Sequence, residues 1–232
     1  MAAQPGGSYG DVAFVDLDVS FHRRLVAYTS HTEGVAEIGE AKSWEAMTQV
    51  YEAIFNRRSV REYADEPVDE ATIRRLITAA VHAPNAVNEQ PWTFVVVRDR
   101  AVLERVSREA KAHMLATMAA VHADRFRSLL ADPEFDIFYH APVLVTISAR
   151  AEGPWIVEDC ALAAENLMLA AFAEQLGTCW IGFAQSYLNT AAGKAVLDAP
   201  EASVAVAPVI VGKPKVIPPA VPRKEPEIRW IA

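Results

Sequence analysis

Three guanidinium groups and one hydroxyl fall within five residues at Arg57-Arg58-Ser59-Val60-Arg61. Arginine forks and a serine hydroxyl match the oxygen geometry of a phosphate, so their clustering points to a local anionic guest. The same charge also suits the C-terminal end of a helix, and the pattern alone leaves both readings open. A second polar segment runs from Pro84 to Pro91 and carries Asn85, Asn88 and Gln90. Its amides offer the paired donors and acceptors that the edge of a ring such as a pyrimidinedione requires, or else a rigid polar turn. A third segment, Gly177-Thr178-Cys179-Trp180-Ile181-Gly182, has glycines that allow close backbone approach to a flat ligand or serve an ordinary connection.

Other chemistries are not suggested. There is no G-x-G-x-x-G after a strand, no G-x-x-x-x-G-K-[ST], no H-E-x-x-H and no G-x-S-x-G. The six histidines show no metal-ligand spacing, and no metal is expected. Cys160 and Cys179 form no C-x-x-C pair, which fits neither a disulfide scaffold nor a zinc site and is consistent with a reducing cytoplasm. Neither has a basic neighbour in sequence to mark it as a nucleophile. With 22 Lys+Arg against 30 Asp+Glu, the net charge of −8 argues against nucleic-acid binding. No signal peptide is recognisable, and the longest apolar run, from Cys160 to Ala173, is interrupted by Glu165 and Asn166, so a soluble protein with no membrane partner is expected.

The elements that must carry these segments can be read from periodicity. Residues 1–43, with alternation at Val15, Leu17, Val19 and Phe21, read as an N-terminal arm holding one strand, and residues 44–232 as the main domain. From Trp44, Met47, Val50, Tyr51, Ile54 and Phe55 define one helical face that ends at the arginine cluster. Asp69 can cap a second helix that stops before Pro84. Apolar, β-branched runs at Phe94–Val97, Val143–Ile147 and Val204–Val211 predict buried strands. One long helical region spans about Ala101 to Leu130. A helix buried all round spans Trp155–Leu176, with Gly177 as its left-handed terminal residue. Residues 213–232 form an extended tail, whose stretch 213–226 holds five prolines. The result is an α+β fold, with a central mixed or antiparallel sheet flanked by helices.

In this order the three segments resemble the FMN-dependent nitroreductase family. The resemblance runs from about Trp44 to Trp230 and includes the A-P-x-L-V strand at Ala141–Val145, Gly212-Lys213-Pro214 and Pro222-Arg223-Lys224. It implies an intertwined homodimer that holds FMN non-covalently between its subunits. It also implies a ping-pong passage of electrons from NADH or NADPH to a nitroaromatic, a quinone or a similar small oxidised acceptor. Carried over by motif, Arg57, Arg58, Ser59 and Arg61 fall on the FMN phosphate and ribityl chain, and Arg223 matches a tail arginine that closes on the phosphate. Pro84, Asn85 and Asn88 match the stretch lining the flavin, with Asn88 on the ring edge and Gln90 supporting the loop. Cys179, Trp180, Ile181 and Gly182 match the stretch whose backbone faces the ring, placing the amide of Ile181 or Gly182 near its redox-active nitrogen. No protein acid or base is required, because the cofactor carries the hydride chemistry.

The segment Lys111–Tyr139 is where members of this family diverge, and its Phe126, Phe135, Phe138 and Tyr139 are candidates for stacking on an aromatic acceptor or for plain core packing. Iodotyrosine deiodinases share the fold and grip an amino-acid zwitterion with Glu, Tyr and Lys. Here Glu109 can be placed, but His113 stands where the Tyr would be and no lysine follows Lys111 in that segment, which disfavours dehalogenation. Specialised flavin dehydrogenases of the same fold, a non-catalytic flavin-binding or sequestering protein, and a structural dimer with no cofactor, whose arginine cluster is merely solvated, are the remaining alternatives.

Overall fold

The computed structural model describes residues 49–118, 120–150 and 153–231; the expected arm strand and the start of the first helix lie outside them. In chain order the elements are α1 (Gln49–Asn56), α2 (Glu70–Ala80), a 3-10 turn (Ala86–Asn88), β1 (Trp92–Val97), α3 (Arg100–Thr117), α4 (Ala120–Ala131), β2 (Val143–Ala149), α5 (Ile156–Ala173), β3 (Gly177–Trp180), α6 (Gly182–Leu188), α7 (Ala191–Val196) and β4 (Val204–Gly212). The strands pair in the order β1-β2-β4-β3, every neighbouring pair antiparallel. The sheet is thus antiparallel rather than mixed, with one isolated parallel bridge from Ser59, outside the strands, to Thr178 of β3.

β2 and β4 lie at the centre and bury both faces, which is why they read as continuous apolar runs rather than alternating ones. On one face Val143, Val145 and Ile147 pack with Val209 and Val211 against α2 and α5. On the other, Leu144 and Ile210 pack against residues of α3 and α6 such as Val106 and Ala184. The β2–β4 register shifts between Ile147 and Ser148, whose partners are Ala207 and Ala205. Val206 is the extra residue of that bulge and sits in the same core cluster as Ala207. Asp69 caps α2 as expected, accepting a hydrogen bond from the Thr72 amide at 2.8 Å. Asp99 does the same for α3 at the amide of Val102.

Three expectations change. The long helix is two helices, because Met118 leaves α3 in an extended conformation (ψ 129°). The central helix ends earlier than read: α5 stops at Ala173, and the left-handed residue is Gln175 (φ 60°), with the Leu176 amide closing on the Ala171 carbonyl at 2.8 Å. Gly177 instead opens β3, where an added Cβ would stand 2.7 Å from Val60, so close approach is what selects glycine there. Nor is α5 buried all round within this chain. Val157 and Leu162 on it, and Val50, Tyr51, Ile54 and Phe55 on α1, are exposed.

Candidate functional site

The arginine segment is positioned by the edge of the sheet. It leaves α1 and runs beside β3, where the Val60 amide bonds the Thr178 carbonyl at 2.9 Å. Farther on, Ala64 bonds Lys213 and Lys215 bonds Glu62, which brings the tail back over the same strip. A cleft of about 400 Å³ opens there, and Arg57, Arg58, Ser59, Arg61 and Arg223 all line it together with Pro218–Val221. Among the described residues no carboxylate lines it, and four guanidinium groups in a chain of net charge −8 concentrate positive potential in one place.

The four arginines are committed to different degrees. Arg58 donates to the carbonyls of Phe55 (2.7 Å) and Arg57 (2.8 Å), so it caps the end of α1, as the helix-end reading of the cluster expects. Arg61 lies over the Tyr139 ring, 5.8 Å from its centroid. Arg57 stands 3.7 Å from Glu165 of α5, and its Nε is buried with no hydrogen-bond partner. The ion pair with Glu165 leaves this buried donor without a hydrogen bond, which a closer acceptor would supply.

β3 delivers the third segment to the same neighbourhood, since Ser59 bridges Thr178, the residue before Cys179. Cys179 is buried, and burial raises its thiol above the ordinary range, which makes it a packing residue and a poor nucleophile. Trp180 is half-buried against the α5-side core. The Ile181 amide is already bonded to the Pro208 carbonyl at 2.8 Å. Of the two amides singled out from sequence, this leaves Gly182, first residue of α6, whose N–H has no partner within its own helix. A Cβ on Gly182 would meet nothing within 4 Å, so its glycine faces open space.

The asparagine loop is built separately. Asn85 Oδ1 accepts from the Gln90 amide at 2.9 Å, and Gln90 Nε2 donates to Asn88 Oδ1 at 3.2 Å, which leaves the Asn88 amide nitrogen available as a donor. Asn88 and Gln90 are exposed, as is Pro84, and Asn85 is half-buried. The loop is tied to α5 by the Ala86 amide, which bonds Asp159 Oδ1 at 3.0 Å. Asp159 and Glu165 are six positions apart on α5, about 9 Å along its axis and about 120° around it. The loop and the arginine cleft therefore attach to different sides of one helix, and residues 85–90 are not among the lining of that cleft. The sequence reading gives neither Asp159 nor Glu165 a role; the available signal was the acidic Glu158, Asp159 and Glu165, with Asn166, in a mostly apolar helix.

The proposed acceptor aromatics divide. Phe138 is fully buried in the α3-side core and presents no surface to a ligand, so it is removed from the acceptor pocket. Tyr139 is half-buried under Arg61 and packs edge-on against Phe135 (5.7 Å). Phe126 packs edge-on against Phe183, the neighbour of Gly182, at 5.4 Å. Glu109 accepts from Arg105 at 2.9 Å and from the Tyr187 hydroxyl. Those bonds, Tyr187 first, hold its carboxyl below the usual range. Lys111 is buried, its ammonium donating to the carbonyls of Asp132 and Phe135.

With this geometry in place, the comparisons with known proteins give the class. A model of the nitroreductase family matches residues 54–213, and the chain belongs to that family. It is 33% identical over 170 residues to an Archaeoglobus fulgidus protein provisionally named NADH dehydrogenase/NAD(P)H nitroreductase, covering 73% of this chain and 87% of that one. The crystal structure of a nitroreductase with bound FMN from Bacteroides fragilis superposes with a TM-score of 0.72 and 25% identity, over 80% of this chain and 100% of that one. Rat iodotyrosine deiodinase 1 is 30% identical over 109 residues, which is 45% of this chain and 38% of the relative. Among the described residues no group of side chains suits a metal ion and no helix is long and apolar enough to cross a membrane.

Proposed function

We propose that this protein is an FMN-dependent oxidoreductase that passes electrons from NADH or NADPH to a small oxidised acceptor such as a quinone or nitroaromatic, working as a homodimer in the cytoplasm. The observation that carries the reading is the cleft in which Arg57, Arg58, Ser59, Arg61 and Arg223 converge, with no carboxylate among the described lining residues, beside strand β3, which leads to Gly182. The buried Nε of Arg57, which faces Glu165 at 3.7 Å but makes no hydrogen bond, fits a phosphate-bearing ligand, because a phosphate oxygen could accept from it. FMN, when bound, supplies the two-electron chemistry.

The chain's own residues bind and orient. The arginines and Ser59 take the phosphate end, the Gly182 amide donates to the ring, and Asn88 offers its free amide N–H to the ring edge. The loop and the cleft sit on different sides of α5, so a second copy of the chain completes the site by bringing its own loop to the cleft. The exposed apolar faces of α1 and α5 are the surface such a partner would bury. Glu109 and Lys111 are both committed within the domain, which favours a neutral acceptor over an amino-acid zwitterion.

The test is anaerobic mixing of the FMN-loaded protein with NADH or NADPH, followed by menadione, a nitroaromatic or 3-iodotyrosine. Rapid bleaching by one nicotinamide and rapid recolouring by the quinone or nitroaromatic is expected. Flavin that neither nicotinamide reduces, or that only the iodinated amino acid reoxidises, would overturn the reading.

A further inference from the structure

We propose that Asp159 is a positioning residue for the asparagine loop, holding it in a strained conformation that the flavin then uses; the inference rests on the functional reading above. Three non-glycine residues within four positions adopt left-handed backbone: Val87 (φ 45°), Asn88 (φ 57°) and Gln90 (φ 49°). Asparagine tolerates this region, but a β-branched valine does so rarely and at a cost. Val87 gains nothing in return through packing, since its side chain is 80% exposed. The conformation must therefore be imposed from elsewhere.

Most of the loop's hydrogen bonds are internal. Glu89 bonds back to Ala86, the Gln90 amide to Asn85 and the Gln90 side chain to Asn88. These shape the loop without fixing it to the domain. Among the described residues, the hydrogen bond from residues 85–90 to another element is Ala86 N–H to Asp159 Oδ1 at 3.0 Å. Asp159 suits the task. It is 4% exposed, belongs to the first turns of the 18-residue helix α5, and sits where the helix dipole favours a carboxylate. The acceptor is charged and rigidly mounted, and its donor is the residue immediately before Val87. Asp159 thus acts on the ligand only through the loop, by fixing Val87 left-handed and so setting the direction in which Asn88 presents its amide.

The test compares the wild type with Asp159→Asn, Asp159→Ala and the double variant Asp159→Ala/Val87→Gly, reading the FMN Kd by fluorescence and the exchange rate of the Ala86 amide by NMR. Asp159→Ala should raise Kd about tenfold or more. Asp159→Asn keeps an acceptor oxygen for Ala86 and should stay within about threefold of the wild type. Val87→Gly, which adopts the left-handed conformation freely, should recover most of the loss in the Asp159→Ala background. A purely structural role for Asp159 predicts no rescue by a glycine at position 87, which makes no bond to Asp159. Unchanged Kd in Asp159→Ala would overturn the proposal, as would a loss that is neither avoided in Asp159→Asn nor corrected by adding Val87→Gly. If Asp159→Ala does not fold, the wild-type Ala86 amide decides: slow exchange is expected, and exchange at the rate of an open loop refutes the anchor. A wild type that binds no FMN at all would defeat the functional reading, while the amide exchange would still decide whether Asp159 holds the loop.

Discussion

Adding one methyl group at Gly177 tests how the sheet edge fixes the arginine segment. An alanine Cβ there would lie 2.7 Å from Val60 Cγ2 and 2.8 Å from both Val60 Cβ and Cγ1. Val60 is 4% exposed and cannot swing away, because its own amide is bonded to the Thr178 carbonyl at 2.9 Å. Overpacking of this kind costs about 1–3 kcal/mol, which for a domain of this size lowers Tm by roughly 2–12 °C. Val60→Ala alone removes two buried methyl groups and costs about 2 kcal/mol once the cavity is included. Together the two changes should compensate, since Val60→Ala vacates the volume the new Cβ needs. The double variant should be at least about 1 kcal/mol more stable than the sum of the single effects. Urea denaturation of all four proteins at one fixed FMN concentration measures this. Additivity within about 0.5 kcal/mol would refute the steric argument. The Gly177→Ala single variant should also bind FMN more weakly, because Val60 lies between Ser59 and Arg61 of the cleft.

Lys111→Met leaves the carbonyls of Asp132 and Phe135 without their buried ammonium donor and should cost about 2–3 kcal/mol in denaturant unfolding. Burial and the bond to Glu109 push the Tyr187 hydroxyl up to about 12. Between roughly pH 10 and that value the unfolded chain therefore sheds a proton that the folded one keeps, and stability falls as pH rises. Cys160, pushed to about 12, adds to the same loss, so Tyr187→Phe should flatten the alkaline limb of a Tm-against-pH curve only in part; an unchanged limb would contradict the assignment. Arg223→Ala should weaken FMN binding several-fold at low salt, with the difference from wild type shrinking as salt is added. Equal weakening at all ionic strengths would mean that Arg223 packs rather than attracts.

Local chemistry was the legible part of the sequence. Asp69 had to cap α2, and the apolar runs at β2 and β4 had to be strands covered on both faces, because these features follow from neighbours in the chain; β1 is a strand too, but at the sheet edge, with Val96 exposed rather than buried. The arginine cluster was legible as charge and Arg223 through the family resemblance, though not the 400 Å³ cleft in which the tail brings them together. What escaped was set by contacts distant in sequence. Gly177 looked like a helix terminator, yet its constraint comes from Val60. Phe138 looked like a ligand-facing aromatic until the turn around Asp136, whose carboxylate binds the Phe138 and His140 amides, directed it inward. The left-handed backbone at Val87 has no sequence signature, because valine is among the residues least suited to it.

The most direct test of the account is whether the protein carries FMN. Purified protein should show visible flavin absorption, release FMN on heating at one molecule per protomer, and sediment as a dimer. Apo-protein should rebind FMN with an affinity that falls at least tenfold in Arg57→Ala. A colourless protein that neither takes up FMN nor responds to the loss of Arg57 would contradict it.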